Sequence, residues 1–133
     1  MPELSWTTVN PAAPATEAVV MASRLEVASL RHVPRFFRLS LASWRQARRS
    51  RGALGVSLMA QFGRGVFWTL SAWESEEALY AYAGAEPHRS IMKRLRPATK
   101  DSHFVFWTVP AGRLPVSWEE ARDRLVQARP RRP

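Results

Sequence analysis

The segment Val66-Phe67-Trp68-Thr69-Leu70-Ser71-Ala72-Trp73 places large apolar or β-branched groups at both odd and even positions. Successive residues of a strand point to opposite faces. A strand of this composition has to be covered on both sides, which rules out a sheet with one wet face. Just beyond it stands Ser75, a good N-cap, followed by Glu76 and Glu77, whose carboxylates suit the positive end of a helix dipole. A doubly buried strand therefore runs straight into a capped helix.

The rest of the chain reads as similar units. Ala18 to Val27 is a strand with Val19, Met21, Leu25 and Val27 on one face. Pro34 suits a first helical turn. The helix it opens reaches about Ser50, with Phe37, Leu41 and Trp44 on one stripe, widened by Val33, Phe36 and Ala47. Arg45, Arg48, Arg49 and Arg51 suit the negative end of its dipole, and Gly52 stops it. Leu54 to Phe62 alternates as a second strand, and Gly63-Arg64-Gly65 turns it into Val66–Trp73. The capped helix runs from Ser75 to Ala83 and stops at Gly84. Pro87 opens a short helix to about Arg94, closed by Pro97. His103 to Val109 is a fourth strand, apolar on both faces. Ser117-Trp118-Glu119-Glu120 has capping-box spacing and starts a last helix to about Ala128.

This β-α-β-β-α-β order with a terminal helix is the ferredoxin-like, split βαβ arrangement, of class α+β with a four-stranded antiparallel sheet. Helices would cover one face of the sheet. Strands two to four would leave the other face apolar, and such a face needs a partner. A second copy of the same sheet, in a symmetric homodimer, is the simplest cover.

With 133 residues the chain has room for one domain. Residues 1–17, rich in Pro, Ala and Thr, read as a flexible leader. Residues 18–128 form the domain, and 129–133 a basic tail. The leader lacks the pattern of a secretory signal, no stretch is apolar enough to span a membrane, and the chain is expected in the cytoplasm. Cysteine is absent, which excludes disulfides and thiolate chemistry. The net charge is +9, from 18 Arg and 2 Lys against 11 acids. Such a balance attracts anions, yet the sequence shows no pattern for specific nucleic-acid recognition. The Arg-for-Lys bias, with abundant Ala and Pro, fits a GC-rich coding sequence.

Phe67-Trp68-Thr69-Leu70-Ser71-Ala72-Trp73-Glu74, then Pro87-His88 with Ile91 and Met92, then Phe106-Trp107-Thr108-Val109-Pro110 and Trp118-Glu119-Glu120-Ala121, resemble the dimeric α/β-barrel superfamily. The resemblance spans roughly Val19 to Leu125. It is nearest to antibiotic-biosynthesis-monooxygenase-like and spheroidene-monooxygenase-like bacterial proteins, most of them without an assigned activity. It implies a monooxygenase-like protein, an oxidoreductase if it is an enzyme. Haem and cofactor-free chemistry both stay open. In the haem-degrading branch the ligating histidine falls one helical turn further on, where this chain has Met92.

His88 is the candidate catalytic residue, as a general base, hydrogen-bond donor or haem ligand, or else a helix-start brace. Trp44, Trp68, Trp73 and Tyr82, with Phe106, are candidate walls for a flat apolar or aromatic ligand, or plain core. Arg45 could meet a ligand carboxylate. His32 and His103 are isolated, and no histidine–carboxylate spacing suggests a metal. Two function classes follow: a small monooxygenase acting on a bulky apolar or aromatic molecule between sheet and helices, and a non-catalytic homodimeric binding or structural module. A third, weaker one, nucleic-acid binding through the Arg48/Arg49/Arg51 and Lys93/Arg94/Arg96 ends, lacks an exposed aromatic pattern.

Overall fold

The structure, a computed structural model, describes residues 3–128. The first two residues of the expected leader and the expected basic tail at 129–133 lie outside the described residues.

The strands are β1 (Glu3–Thr8), β2 (Glu17–Val27), β3 (Ala53–Gln61), β4 (Val66–Trp73) and β5 (Thr99–Pro110). The helices are α1 (Val33–Arg49), α2 (Glu76–Gly84), α3 (His88–Leu95) and α4 (Trp118–Ala128). All strand pairs are antiparallel, in the order β1-β3-β4-β2-β5. Strands β2 to β5 carry the expected ferredoxin-like order. Among the described residues the sheet has five strands where the sequence predicts four, because Glu3–Thr8, read as part of a loose leader, pairs with the free edge of β3. Trp6 explains the attachment: it packs on the core cluster that contains Leu54 and Trp68.

Local signals act as the residue types require. The Ser75 hydroxyl accepts the Ala78 amide at 3.1 Å and caps α2. Gly52 (φ +83°) and Gly65 (φ +66°) take the left-handed conformation at the exit of α1 and in the β3–β4 turn. The buried side of α1 is turned by about one residue from the predicted stripe. Phe36, Ser40 and Ala47 are its buried residues, while Phe37, Leu41 and Trp44 are only partly covered.

β4 is buried on both faces, as its composition demands. One face, with Val19, Val56, Phe67 and Trp73, packs under α1, α2 and α3. The other face was expected to await a second copy. Here α4 and the segment before it cover it: Ala121, Leu125 and Val116 pack with Ala22, Trp68, Leu70 and Trp107. A tethered helix covers that face without the ~4–15 kcal/mol that association of two molecules costs in lost freedom. Phe104 and Phe106 point to the α1–α3 side from the edge strand β5, and they are 46% and 51% exposed. Among the described residues no helix is long and apolar enough to cross a membrane.

Candidate functional site: a cavity beneath the outer helices

Between the sheet and helices α1–α3 lies a cavity of about 70 Å³. The sheet supplies Met21, Ser23, Thr69 and Ser71, which β2–β4 pairing sets side by side. α1 supplies Ser40, Ser43 and Trp44, and the α2–α3 corner supplies Tyr82, His88 and Met92. The walls are mostly apolar with a few hydroxyls between, as in small-molecule sites. A groove of about 290 Å³ on the surface shares Leu25, Met92, Leu95 and Phe104 with it, so the two are neighbours across those side chains.

His88 is held by its surroundings. Its backbone N–H donates to Gln46 Oε1 at 2.6 Å. The Gln46 amide in turn donates to the carbonyls of Tyr82 (3.2 Å) and Ala85 (3.4 Å), bracing the break between α2 and α3. The imidazole Nδ1 lies 3.0 Å from the Ala83 carbonyl. A carbonyl only accepts, so Nδ1 carries the proton and Nε2 of the neutral ring is an acceptor. Burial pushes the imidazole below the ordinary histidine value of 6.5, and the Ala83 carbonyl offsets part of that shift. His88 is thus neutral at pH 7, with its tautomer fixed.

The aromatic residues behind it form a stack. The Tyr82 ring lies 4.7 Å from His88 and 4.9 Å from Trp73. Burial raises the Tyr82 phenol far above its usual value, and the Ser43 hydroxyl offsets this only in part. The phenol O–H itself donates to the Ser43 carbonyl at 3.3 Å. Tyr82 therefore stays protonated and is a poor proton shuttle. Trp44 differs: its indole Nε1 is buried and, among the described residues, has no hydrogen-bond partner, while Arg48 sits 4.8 Å from its ring. A buried donor without a partner costs about 1–3 kcal/mol. A ligand acceptor in the cavity would remove that cost.

Of the residues singled out from sequence, the structure gathers Trp44, Tyr82 and His88 around the cavity. Trp73 stands one layer behind, fully buried, donating to Ser71 Oγ at 2.9 Å. Trp68 is on the opposite sheet face under α4, with Arg122 5.0 Å from its ring. It alternates with Phe67 and Thr69, and the strand period of two sends it away from the cavity. Arg45 is exposed on the outer side of α1, away from the cavity. His103 pairs with Asp101 at 2.9 Å on β5, far from His88 in the fold. Sequence reasoning missed Ser23, Ser40, Ser43 and Thr69. The available signal was hydroxyls at inward positions of otherwise apolar faces.

Among the described residues no three His, Asp or Glu side chains are grouped to hold a metal. Met92 and Phe104 line the cavity beside His88, and a macrocycle the size of haem would have to displace them to reach that ring.

A ferredoxin-like sheet with a small, partly open site beneath its helices defines a class of small α+β proteins. The chain belongs to the family described as a domain of unknown function, DUF3291, whose profile matches residues 42–131. Among the solved structures it resembles a cofactor-independent oxygenase, SnoaB from Streptomyces nogalater. That match has 14% identity and a TM-score of 0.59, covering 69% of this chain and 92% of that one. A conserved protein from Methanosarcina mazei is similar at 14% identity and a TM-score of 0.63, over 71% of this chain and 94% of the other. A protein from Deinococcus radiodurans, provisionally described as an antibiotic biosynthesis monooxygenase, matches at 16% identity and a TM-score of 0.60, over 67% and 89%. Its structural neighbours are thus antibiotic-biosynthesis-monooxygenase-like proteins of ferredoxin fold, many of unknown activity. At such identities the likeness establishes the fold. No curated protein sequence matches the chain significantly.

Proposed function

We propose that this protein is a small monooxygenase-like enzyme. It binds an apolar or aromatic small molecule between sheet and helices, with His88 as general base. One observation carries the reading: a neutral histidine of fixed tautomer lines a mostly apolar cavity beside a buried indole donor without a partner. Nε2 accepts a proton from an acidic C–H of the substrate. The resulting carbanion is oxidised by dioxygen, a C–O bond forming to a hydroperoxide that takes the proton back and loses water to leave a carbonyl, without a resident cofactor. Trp44 Nε1 meets the substrate's oxygen. Trp73 backs the Tyr82 ring. In this reading Trp68 and Arg45, placed elsewhere by the fold, take no part.

Size decides how the substrate sits. At about 70 Å³ the cavity has about half the ~150 Å³ of an apolar cavity that takes up benzene. A bulky substrate must displace Met92 or Phe104 and extend into the outer groove. The reading includes a homodimer in the cytoplasm, its contact the β5 edge where Phe104 and Phe106 are exposed. The small cavity favours a second reading, a binding module without chemistry. Oxygen uptake with a panel of mono- and bicyclic phenols separates the two. Turnover by the native protein that is lost in His88→Ala supports the enzyme. Saturable binding with no oxygen uptake supports the module.

A further inference from the structure

The outer layer of the molecule carries a feature that the cavity does not use. After Pro34, the exposed residues of α1 are Arg35, Arg38, Arg45, Arg48 and Arg49, every one an arginine. On α3, which packs beside α1, the exposed residues are Arg89, Lys93 and Arg94. Neither helix contains Asp or Glu. Among the described residues none of these cations is in an ion pair. Four of the acids, Glu76, Glu77, Glu119 and Glu120, sit in the first turns of α2 and α4, and Glu86, just before α3, accepts from the Ser90 hydroxyl at the edge of this face.

Helix stability does not explain this face. Arg48 and Arg49 suit the C-terminal end of the α1 dipole, but Arg35 stands in its first turn, where a cation is unfavourable. Arg35/Arg38, Arg45/Arg48 and Arg45/Arg49 are like-charge pairs at i,i+3 or i,i+4, each destabilising by about 0.2–0.5 kcal/mol. A GC-rich coding bias accounts for Arg over Lys. It does not account for cations without carboxylates on two neighbouring helices while α2 and α4 hold both Glu76 and Glu119.

We propose that the α1–α3 face is a docking surface for the phosphate backbone of double-stranded nucleic acid, read without regard to sequence. Arg35, Arg38, Arg45 and Arg49 follow one side of α1 at spacings of 3, 7 and 4 residues. At 1.5 Å per residue the row is about 21 Å long, which matches the axial length of about six base pairs at about 3.4 Å each. Single strands are bound through exposed aromatic platforms. Among the described residues the exposed large apolar ones are Leu30, Tyr80, Phe104, Phe106 and Val126; none is on α1 or α3, and Phe104 and Phe106, which point to that side, stand on the edge strand β5 outside the arginine row. A membrane surface calls for apolar side chains among the cations, and none of the exposed residues between Arg35 and Arg49 is apolar.

The test is fluorescence anisotropy of a labelled 24-base-pair duplex of arbitrary sequence, titrated with the full chain at several salt concentrations. The log–log salt slope should be about −4 or steeper. Arg38→Gln/Arg45→Gln should make it shallower by about 2 units. Arg113→Gln/Arg124→Gln, outside the two helices and equal in charge loss, should leave the slope unchanged. Equal loss in both double variants would reduce the effect to net charge and overturn the proposal. So would tighter binding of phosphatidylserine vesicles than of duplex, or no duplex binding at low salt.

Discussion

At the scale of single residues, His88 and Trp44 carry the testable chemistry. The unfolded chain binds a proton at His88 near the ordinary value of 6.5, whereas the folded ring takes it up only at lower pH. Its contribution to stability is therefore complete above pH 6.5 and is lost as the pH falls through the folded value. Denaturation midpoints should decline on acidification below pH 6.5 in the native protein and decline less in His88→Gln, which a urea series across pH would read. Trp44→Phe keeps an aromatic ring and removes the orphan donor. It should weaken binding of a phenol or ketone probe about fivefold, as expected for one neutral hydrogen bond, and leave an apolar isostere of the probe unaffected. Isothermal titration of both probes decides it. Equal losses would make Trp44 a packing residue only. His88 was legible because a histidine after Gly84 and Pro87 stands out. The Trp44 donor was not, because an unpartnered N–H is a property of its surroundings.

At the scale of elements, the strongest local signals were caps and turns. Ser75→Ala should cost about 1 kcal/mol by removing the acceptor for the Ala78 amide, measurable in urea unfolding. α1 and α3 were legible as helices from Pro34, Gly52, Pro87 and Pro97. The side of α1 that faces inward was misread by about one position. Phe37 and Leu41 are more hydrophobic than Ser40, yet Ser40 points down because it lies over the hydroxyl-lined cavity. β1 was missed because a short run between Pro2 and Pro11 has little strand pattern of its own. Its pairing depends on the free edge of β3 and on Trp6.

At the scale of the whole molecule, the placement of α4 governs which surfaces remain for a second copy. Leu125, 5% exposed, anchors it on the sheet, and Leu125→Ala should destabilise the fold by about 2–5 kcal/mol. If a homodimer forms at the β5 edge, Phe104→Glu/Phe106→Glu should yield monomers with the native circular dichroism spectrum. Light scattering at micromolar concentration would show it. A native protein that is already monomeric there would remove the dimer from the reading, and a dimer indifferent to both substitutions would move its interface away from β5.

The chain by itself determined the ferredoxin-like order of β2 to β5, the capped helices and the doubly buried β4. Each of these follows from residue spacing within one element, where the periods of strand and helix act directly. What covers the second face of β4 was decided only in three dimensions. Apolar residues demand a cover but do not specify it, and the chain's own α4 reaches that face before any second molecule does. The same holds for the cavity. Trp44, Tyr82 and His88 lie on three helices, and only their packing on one sheet brings them around a common space, while Trp68 is carried to the opposite side by the alternation of a single strand.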